Sequence, residues 1–254
     1  KAAQGIKPQI FNEQLNQNIY NYSFAINSSP FGPKYLKSIK KKLDKKETSG
    51  LFIISVDPWS IASTCDNPND TISFRENDTY VDKIKYVDKK PNFQYFFNYM
   101  YGHLYKIIHK PKTAFLHNDG WLEVSLSLDS LQIARRTQST LKNYENHVLN
   151  YQYSDLRWKY LLQTINLLSN YGELYIVRLP VSSKLMSMEN KLMPDLNNKI
   201  NSLNRIISGY INLTNKNHLF NYTDGVHLDK LSAEIATVMI LDSIKTIQSN
   251  NKKE

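Results

Sequence analysis

The order of apolar runs and amphipathic stretches is the feature that most limits how this chain can fold. Residues 50–56, Gly-Leu-Phe-Ile-Ile-Ser-Val, form a continuous apolar run of strand length. Residues 33–46 before it carry apolar groups at helical spacing, and a shorter apolar and aromatic stretch spans residues 19–26. This order predicts a β-α-β unit, and such units build parallel sheets.

A second unit of the same kind is predicted nearer the end of the chain. A helix over residues 156–170 leads into a strand over residues 173–179. Further predicted elements are a helix over residues 196–208, a last strand over 210–213 and a closing helix over 230–247. The two units together predict the α/β class, with a three-layer α/β/α architecture and a mostly parallel sheet.

Residues 60–150 interrupt this alternation. Within them, residues 95–101 predict an aromatic-rich helix, and residues 117–121 predict a turn into a short strand. We therefore predict one domain over residues 1–254, with a long insertion of about residues 60–150 after the strand that ends near Asp57. An insertion at that end of a parallel strand lies beside the ligand crevice and could form a lid or a substrate wall. Its aromatic residues could equally pack against one another.

The segment Asp224-Gly225-Val226-His227 places a carboxylate and an imidazole three residues apart in one tight turn. A serine that attacks an ester needs an imidazole to accept its proton and a carboxylate to orient that imidazole. Asp-Gly is also a common turn dipeptide, Asp229 could simply cap the following helix, and a histidine in a turn can be an ordinary surface residue. The segment is therefore a candidate general base with its orienting partner, or a plain turn before a helix.

This segment, with a strand before it and a helix after it, resembles the closing motif of the SGNH (GDSL) hydrolase family, whose fold is flavodoxin-like. The resemblance implies that His227 is the general base and that Asp224 orients it. It also places the second strand of the family and its loop at residues 20–30. On that alignment a backbone N–H near Ile26, Asn27 or Ser28 would bind the oxyanion, or these residues would bind the substrate.

The chain departs from the family pattern at two places. Asp57 stands where the family has the Asn of Gly-x-Asn, and a carboxylate only accepts hydrogen bonds, so Asp57 would bind a substrate hydroxyl or merely close the strand. No Gly-Asp-Ser occurs in the chain. Residues 1–8 resemble the stretch after the nucleophile in some bacterial members, where Gly-x-Ser precedes a basic residue, Ala and Gly-Ile-x-Pro. We therefore expect the nucleophilic serine immediately before Lys1, on a first strand that the sequence lacks.

The resemblance implies ester hydrolysis or acyl transfer through an acyl-serine, with no metal and no organic cofactor. The substrate class that it implies is an acylated small molecule or an O-acylated carbohydrate, including cell-wall polymers. It also implies an extracytoplasmic place in a bacterium, either periplasmic or held by an N-terminal membrane anchor outside the sequence. A non-catalytic SGNH-like module that binds glycans or serves in assembly is the alternative.

Charge, cysteine content and hydropathy bear on other classes of protein. Lys and Arg exceed Asp and Glu by 32 to 23, and this net charge of +9 could attract nucleic acid. The densest basic run, residues 37–46, has the spacing of a solvated helix face, so we expect no nucleic-acid partner. The single Cys65 excludes an internal disulfide and a cysteine zinc cluster. No apolar run approaches the ~18 residues of a membrane-spanning helix.

Overall fold

The structure is a computed structural model that describes residues 1–28, 30–64, 66–85, 93–94 and 113–251. Its strands are β1 (Gly50–Ser55), β2 (Ala62–Thr64), β3 (Ala114–Leu116), β4 (Leu122–Val124), β5 (Tyr151–Tyr153), β6 (Gly172–Arg178) and β7 (Gly209–Asn212). Its α-helices are α1 (Ala2–Gly5), α2 (Pro8–Leu15), α3 (Pro33–Lys42), α4 (Ser130–Asn150), α5 (Asp155–Ser169), α6 (Ser183–Leu192), α7 (Leu196–Asn201) and α8 (Lys230–Asn251). Short 3-10 helices span Pro58–Ile61, Arg75–Asp78 and Thr214–Leu219.

Three of the strands form a parallel sheet in the order β1-β6-β7. Ile54 of β1 pairs with Ile176 of β6, and Val177 of β6 pairs with Ile211 of β7. The remaining strands form two short antiparallel pairs, β2 with β5 and β3 with β4. The predicted α/β class with a mostly parallel sheet is confirmed.

Helices cover both faces of this sheet, because the side chains of a strand point alternately to its two sides. Tyr175 and Val177 of β6 join a buried cluster with residues of α2 and α8. Leu174 and Ile176 of the same strand join a second cluster with residues of α5 and α7. Each such fully buried side chain stabilises the fold by roughly 1.5–3 kcal/mol. The architecture is thus α/β/α in three layers.

Several predicted boundaries differ from the structure. The helix predicted over residues 33–46 ends at Lys42, and the one predicted over 196–208 ends at Asn201, where turns take over. The described residues of this segment, 20–28 and 30, form no strand, so that prediction is wrong. Asn21 bonds instead to residues outside the sheet: its backbone N–H donates to the Asp119 carbonyl at 2.7 Å, and its side chain donates to the carbonyls of Ala2 and Ile6.

The predicted insertion holds more regular structure than its composition suggests. Its largest described element is the 21-residue helix α4, which has no buried residue and was not predicted. The turn before β4 is as predicted, with β3 and β4 paired around it. The aromatic-rich helix predicted over residues 95–101 lies outside the described residues. Helix α6 was also missed, and it lies beside the candidate site.

Candidate functional site

His227 and Asp224 form a hydrogen-bonded pair at the turn between β7 and α8. The Nδ1 atom of His227 lies 2.8 Å from Oδ2 of Asp224. The other carboxylate oxygen, Oδ1, accepts the backbone N–H groups of Val226 and His227 at 3.0 and 2.8 Å. An ionised carboxylate only accepts, so Nδ1 carries the proton and Nε2 is the basic nitrogen. The sequence-predicted pair therefore has the geometry of a general base and its orienting partner.

The turn that carries this pair is fixed by the elements around it. Gly225 has a φ of +84°, and a Cβ there would lie 3.1 Å from the Thr137 side chain. Its carbonyl accepts from the backbone N–H of Ser182 at 2.9 Å. From α4, Arg136 donates to the Thr223 carbonyl at 2.8 Å. A left-handed backbone in so tight a space favours glycine, and helix α4 of the predicted insertion holds the turn directly.

Asp229 closes the segment by capping the last helix. Its side chain accepts the backbone N–H of Ser232 at 2.7 Å, and its carbonyl accepts that of Ala233 at 2.9 Å. The capping role considered for Asp229 from the sequence is therefore confirmed. The Asp229 cap and the hydrogen-bonded pair of Asp224 and His227 are both present.

The pH dependence of stability should report the charge on Asp224. Burial alone would raise the pKa of Asp224, but hydrogen bonds and the charge of His227 outweigh it and lower the pKa to about 2. A carboxyl whose pKa is lowered by folding stabilises the fold above its ordinary pKa, and this stability is lost as the pH falls towards the folded value. We expect the free energy of unfolding of Asp224→Asn to lie below that of the native protein at pH 7. The difference should shrink between about pH 4 and pH 2, as measured by urea unfolding. A constant difference across that range would contradict the assignment.

A cluster of buried charges lies at the carboxyl ends of β1 and β6. The ammonium group of Lys1 pairs with Asp57 at 3.1 Å and with Glu189, whose side chain is fully buried. Glu189 also accepts from Trp59 Nε1 at 3.2 Å and from the Arg178 guanidinium at 3.2 Å. Burial by itself would lower the pKa of Lys1, but the two carboxylates hold it above its ordinary value. The cluster joins both strand ends to α6.

The other predicted contact residues have different places. Asp57 caps the 3-10 helix Pro58–Ile61 by accepting the backbone N–H of Ser60 at 2.9 Å. Its second oxygen faces Lys1, so both oxygens have partners within the protein. Asn27 is exposed, and the backbone N–H of Ser28 donates to the Ala25 carbonyl at 2.8 Å. The structure brings Asp57 to the charged cluster but does not bring Asn27 and Ser28 to the cavity that His227 lines.

A cavity of about 1280 Å³ extends along β1 to this site. All six residues of β1 line it, and so do residues 17–26. His227, Lys1 and Asp57 line the cavity, and so does Tyr144 of α4. The Tyr144 ring meets the Trp59 ring edge-on at 4.8 Å, and burial raises the pKa of Tyr144 to about 12. Tyr144 is therefore a neutral hydroxyl near the charged cluster.

Sequence reasoning missed several members of this site, among them Arg178, Glu189 and Tyr144. Arg178 carried a usable signal, because a charged residue directly after a buried apolar run must find a partner. Glu189 and Tyr144 carried none, since each lies on a helix of mixed polarity that was not predicted. No family model, curated protein or solved structure matches this chain. The functional argument therefore depends on the residues and their geometry.

Two further observations concern metal sites and membrane-spanning helices in the part of the chain that the structure describes. No group of three or more His, Cys, Asp or Glu side chains there is placed to hold a metal ion. None of the helices described combines the length and the apolar character that a membrane crossing requires.

Proposed function

We propose that the protein is a serine-dependent esterase or acyltransferase in which His227 is the general base and Asp224 orients it. The substrate class that we propose is an acylated small molecule or an O-acylated carbohydrate. The nucleophile in this proposal is a serine immediately before Lys1. The observation that carries it is the 2.8 Å contact between His227 Nδ1 and Asp224 Oδ2 at the edge of a cavity.

The position of Lys1 supports the location of the nucleophile. The backbone nitrogen of Lys1 is buried and lies within electrostatic range of Asp57, Asp224 and Glu189. Lys1 and His227 line the same cavity. A residue bonded to that nitrogen would therefore lie close to the pair of Asp224 and His227. Asp224 is among the carboxylates that act electrostatically on the Lys1 nitrogen. A nucleophilic serine needs to lie near such a carboxylate and its histidine.

The edge position of β1 in the described sheet supports the proposal that a further strand lies beside it and carries this serine. Within the described residues β1 pairs with β6 alone, and most of its residues are only half-buried. Parallel strands are normally covered on both sides and paired at their edges. The cavity beside β1 is lined from one core cluster by Ile6 and Phe11 and from the other by Phe31 and Ile39. A strand in this space would place alternate side chains in the two clusters and run parallel to β1 towards Lys1.

The chemistry follows from these positions. The serine hydroxyl oxygen would attack the ester carbonyl while its proton passes to Nε2 of His227. The resulting imidazolium is stabilised by the Asp224 carboxylate and then protonates the departing alkoxide, which leaves an acyl-serine. Water or an acceptor hydroxyl gives a proton to Nε2, attacks the acyl-serine and completes hydrolysis or transfer. The regenerated serine takes its proton back from His227, so the protons and bonds balance over the cycle.

Labelling of the native polypeptide, expressed from its own start codon, tests the proposal. A fluorophosphonate probe, which modifies activated serines, is expected to label one serine directly before Lys1, as located by mass spectrometry of the modified peptide. His227→Ala should abolish the labelling because the serine loses its base. His218→Ala is the matched control, since His218 is exposed on the 3-10 helix Thr214–Leu219, and it should label like the native protein.

Three outcomes would contradict the proposal. A native sequence without serine at that position would remove the nucleophile. Labelling at another serine would keep the chemistry but reject its location. A folded protein that is not labelled would favour the alternative, a non-catalytic glycan-binding module, and that module has one observation in its favour, because the carboxylate of Asp57 replaces a donor at the expected oxyanion position.

A further inference from the structure

Glu189 connects three parts of the candidate site from a fully buried position. It lies on α6, and one of its oxygens accepts from both Lys1 and Trp59 Nε1, while the other accepts from Arg178 at 3.2 Å. Trp59 belongs to the 3-10 helix after β1, and Arg178 ends β6. A buried carboxylate with three charged or polar donors has a single well-defined position, because moving it would leave a buried charge without partners.

The same helix contacts the turn that carries the base. Leu185 lies four residues before Glu189, hence on the same face of α6, and it packs in a buried cluster with Val181 and Val226. Val226 is the residue immediately before His227. Helix α6 therefore holds Lys1 through Glu189 and the base turn through Leu185, one helical turn apart.

We propose that Glu189 is a positioning residue that fixes the nucleophile relative to His227 by anchoring the side chain of Lys1. The inference rests on the proposed function, in which the serine immediately precedes Lys1. Anchoring the Lys1 side chain in two carboxylates, those of Asp57 and Glu189, restricts the backbone of the neighbouring serine. Catalysis depends steeply on such placement, since a misplacement of about 1 Å can cost on the order of 10²-fold in rate.

The test compares Glu189→Gln with the native polypeptide in two assays. The variant keeps the size of the side chain and an acceptor for Trp59, but it loses the negative charge that holds Lys1. We expect kcat for a small acetate ester, and the rate of fluorophosphonate labelling, to fall by about 10- to 100-fold, with KM changed by less than about 3-fold. Glu234→Gln is the matched control, because Glu234 pairs with Lys7 at 3.0 Å and its side chain is half exposed. That control should leave both rates unchanged.

A double-mutant cycle separates positioning from mere stability. In Lys1→Met, Glu189 still accepts from Arg178 and Asp57 still accepts the backbone N–H of Ser60, so neither carboxylate loses its last partner and we expect this variant to fold even if Glu189→Gln does not. If Glu189 acts through Lys1, Lys1→Met alone lowers kcat by a similar factor, and adding Glu189→Gln lowers it little further. Independent effects that multiply in the double variant would overturn the inference, because a purely structural residue does not depend on Lys1.

The remaining outcomes also test the positioning role of Glu189. Native-like labelling of Glu189→Gln, or a rise in KM with unchanged kcat, would overturn the positioning role and leave the proposed function standing. Native-like kcat for Lys1→Met would do the same without requiring Glu189→Gln to fold. Absence of labelling in the native polypeptide would overturn the proposed function and this inference together.

Discussion

Replacing His227 with alanine is expected to slow ester turnover by the native polypeptide by on the order of 10²-fold or more, with the fold retained. In the proposed function His227 accepts the serine proton, so the substitution removes the general base. The His227 side chain is about one-third exposed, so its removal opens little buried space. Steady-state kinetics with a chromogenic acetate ester measure the rate, and circular dichroism with thermal unfolding checks the fold.

The way in which turnover fails identifies the role of His227. A general base acts in the transition state, so kcat and kcat/KM should fall together while KM changes little. In Asp224→Asn, kcat should fall by a comparable or smaller factor. Asparagine still accepts the backbone N–H groups of Val226 and His227, but it offers an amide N–H to Nδ1 of His227. His218→Ala should turn over like the native protein. Unchanged kcat in His227→Ala would reject the role.

The fold class could be predicted because the central strands carry their own signal. Residues 174–177, Leu-Tyr-Ile-Val, form a continuous apolar run, and a strand buried on both faces of a parallel sheet requires such a run. The structure places β6 at Gly172–Arg178, within one residue of the prediction. Boundaries were less predictable where tertiary contacts decide them. Helix α3 ends at Lys42, although Leu43 continues the helical spacing of Leu36 and Ile39 and the predicted helix extends to residue 46.

The candidate site could be predicted only where its members are close in sequence. Asp224 and His227 share one turn, so their spacing reveals the pair. The contact between Lys1 and Glu189 spans 188 residues, and no local pattern indicates it. Helix α4 was missed because its inward face is only half-buried, which makes its sequence resemble a polar loop. Long-range partners and half-buried helices are therefore what the sequence leaves open.

The largest expected effect on stability comes from Arg157 of α5. Its guanidinium forms a two-pronged pair with Glu76 at 2.9 and 3.0 Å, and the side chains are 1% and 0% exposed. It also donates to the Ser63 hydroxyl at 2.6 Å and to the Phe31 carbonyl at 3.1 Å, and it lies 3.8 Å from the centre of the Phe74 ring. Arg157→Ala should lower the free energy of unfolding by about 3–5 kcal/mol, because Glu76 becomes a buried charge without a partner.

Chemical denaturation at pH 7 measures this loss, and two further variants locate its cause. Arg157→Met combined with Glu76→Leu removes both charges and should be more stable than Arg157→Ala alone, since no unpaired charge remains. Asp195→Ala removes the exposed pair with Lys199 at 3.8 Å and should cost less than about 1 kcal/mol. A cost of that small size for Arg157→Ala would contradict the buried-charge argument.

The ion pair of Arg157 and Glu76 also fixes the first part of the predicted insertion to α5. Glu76 lies on the 3-10 helix Arg75–Asp78, so the ion pair ties that segment to α5, which packs on the sheet. Its neighbour Arg75 donates to the Trp59 carbonyl at 3.2 Å, and Trp59 in turn donates to Glu189 in the charged cluster. A lid must open with little free-energy cost, whereas this segment is held by a buried ion pair. Around Glu76 the predicted insertion is therefore a structural support of the site, and its loosening in Arg157→Ala should be visible as faster amide exchange at Arg75 to Asp78.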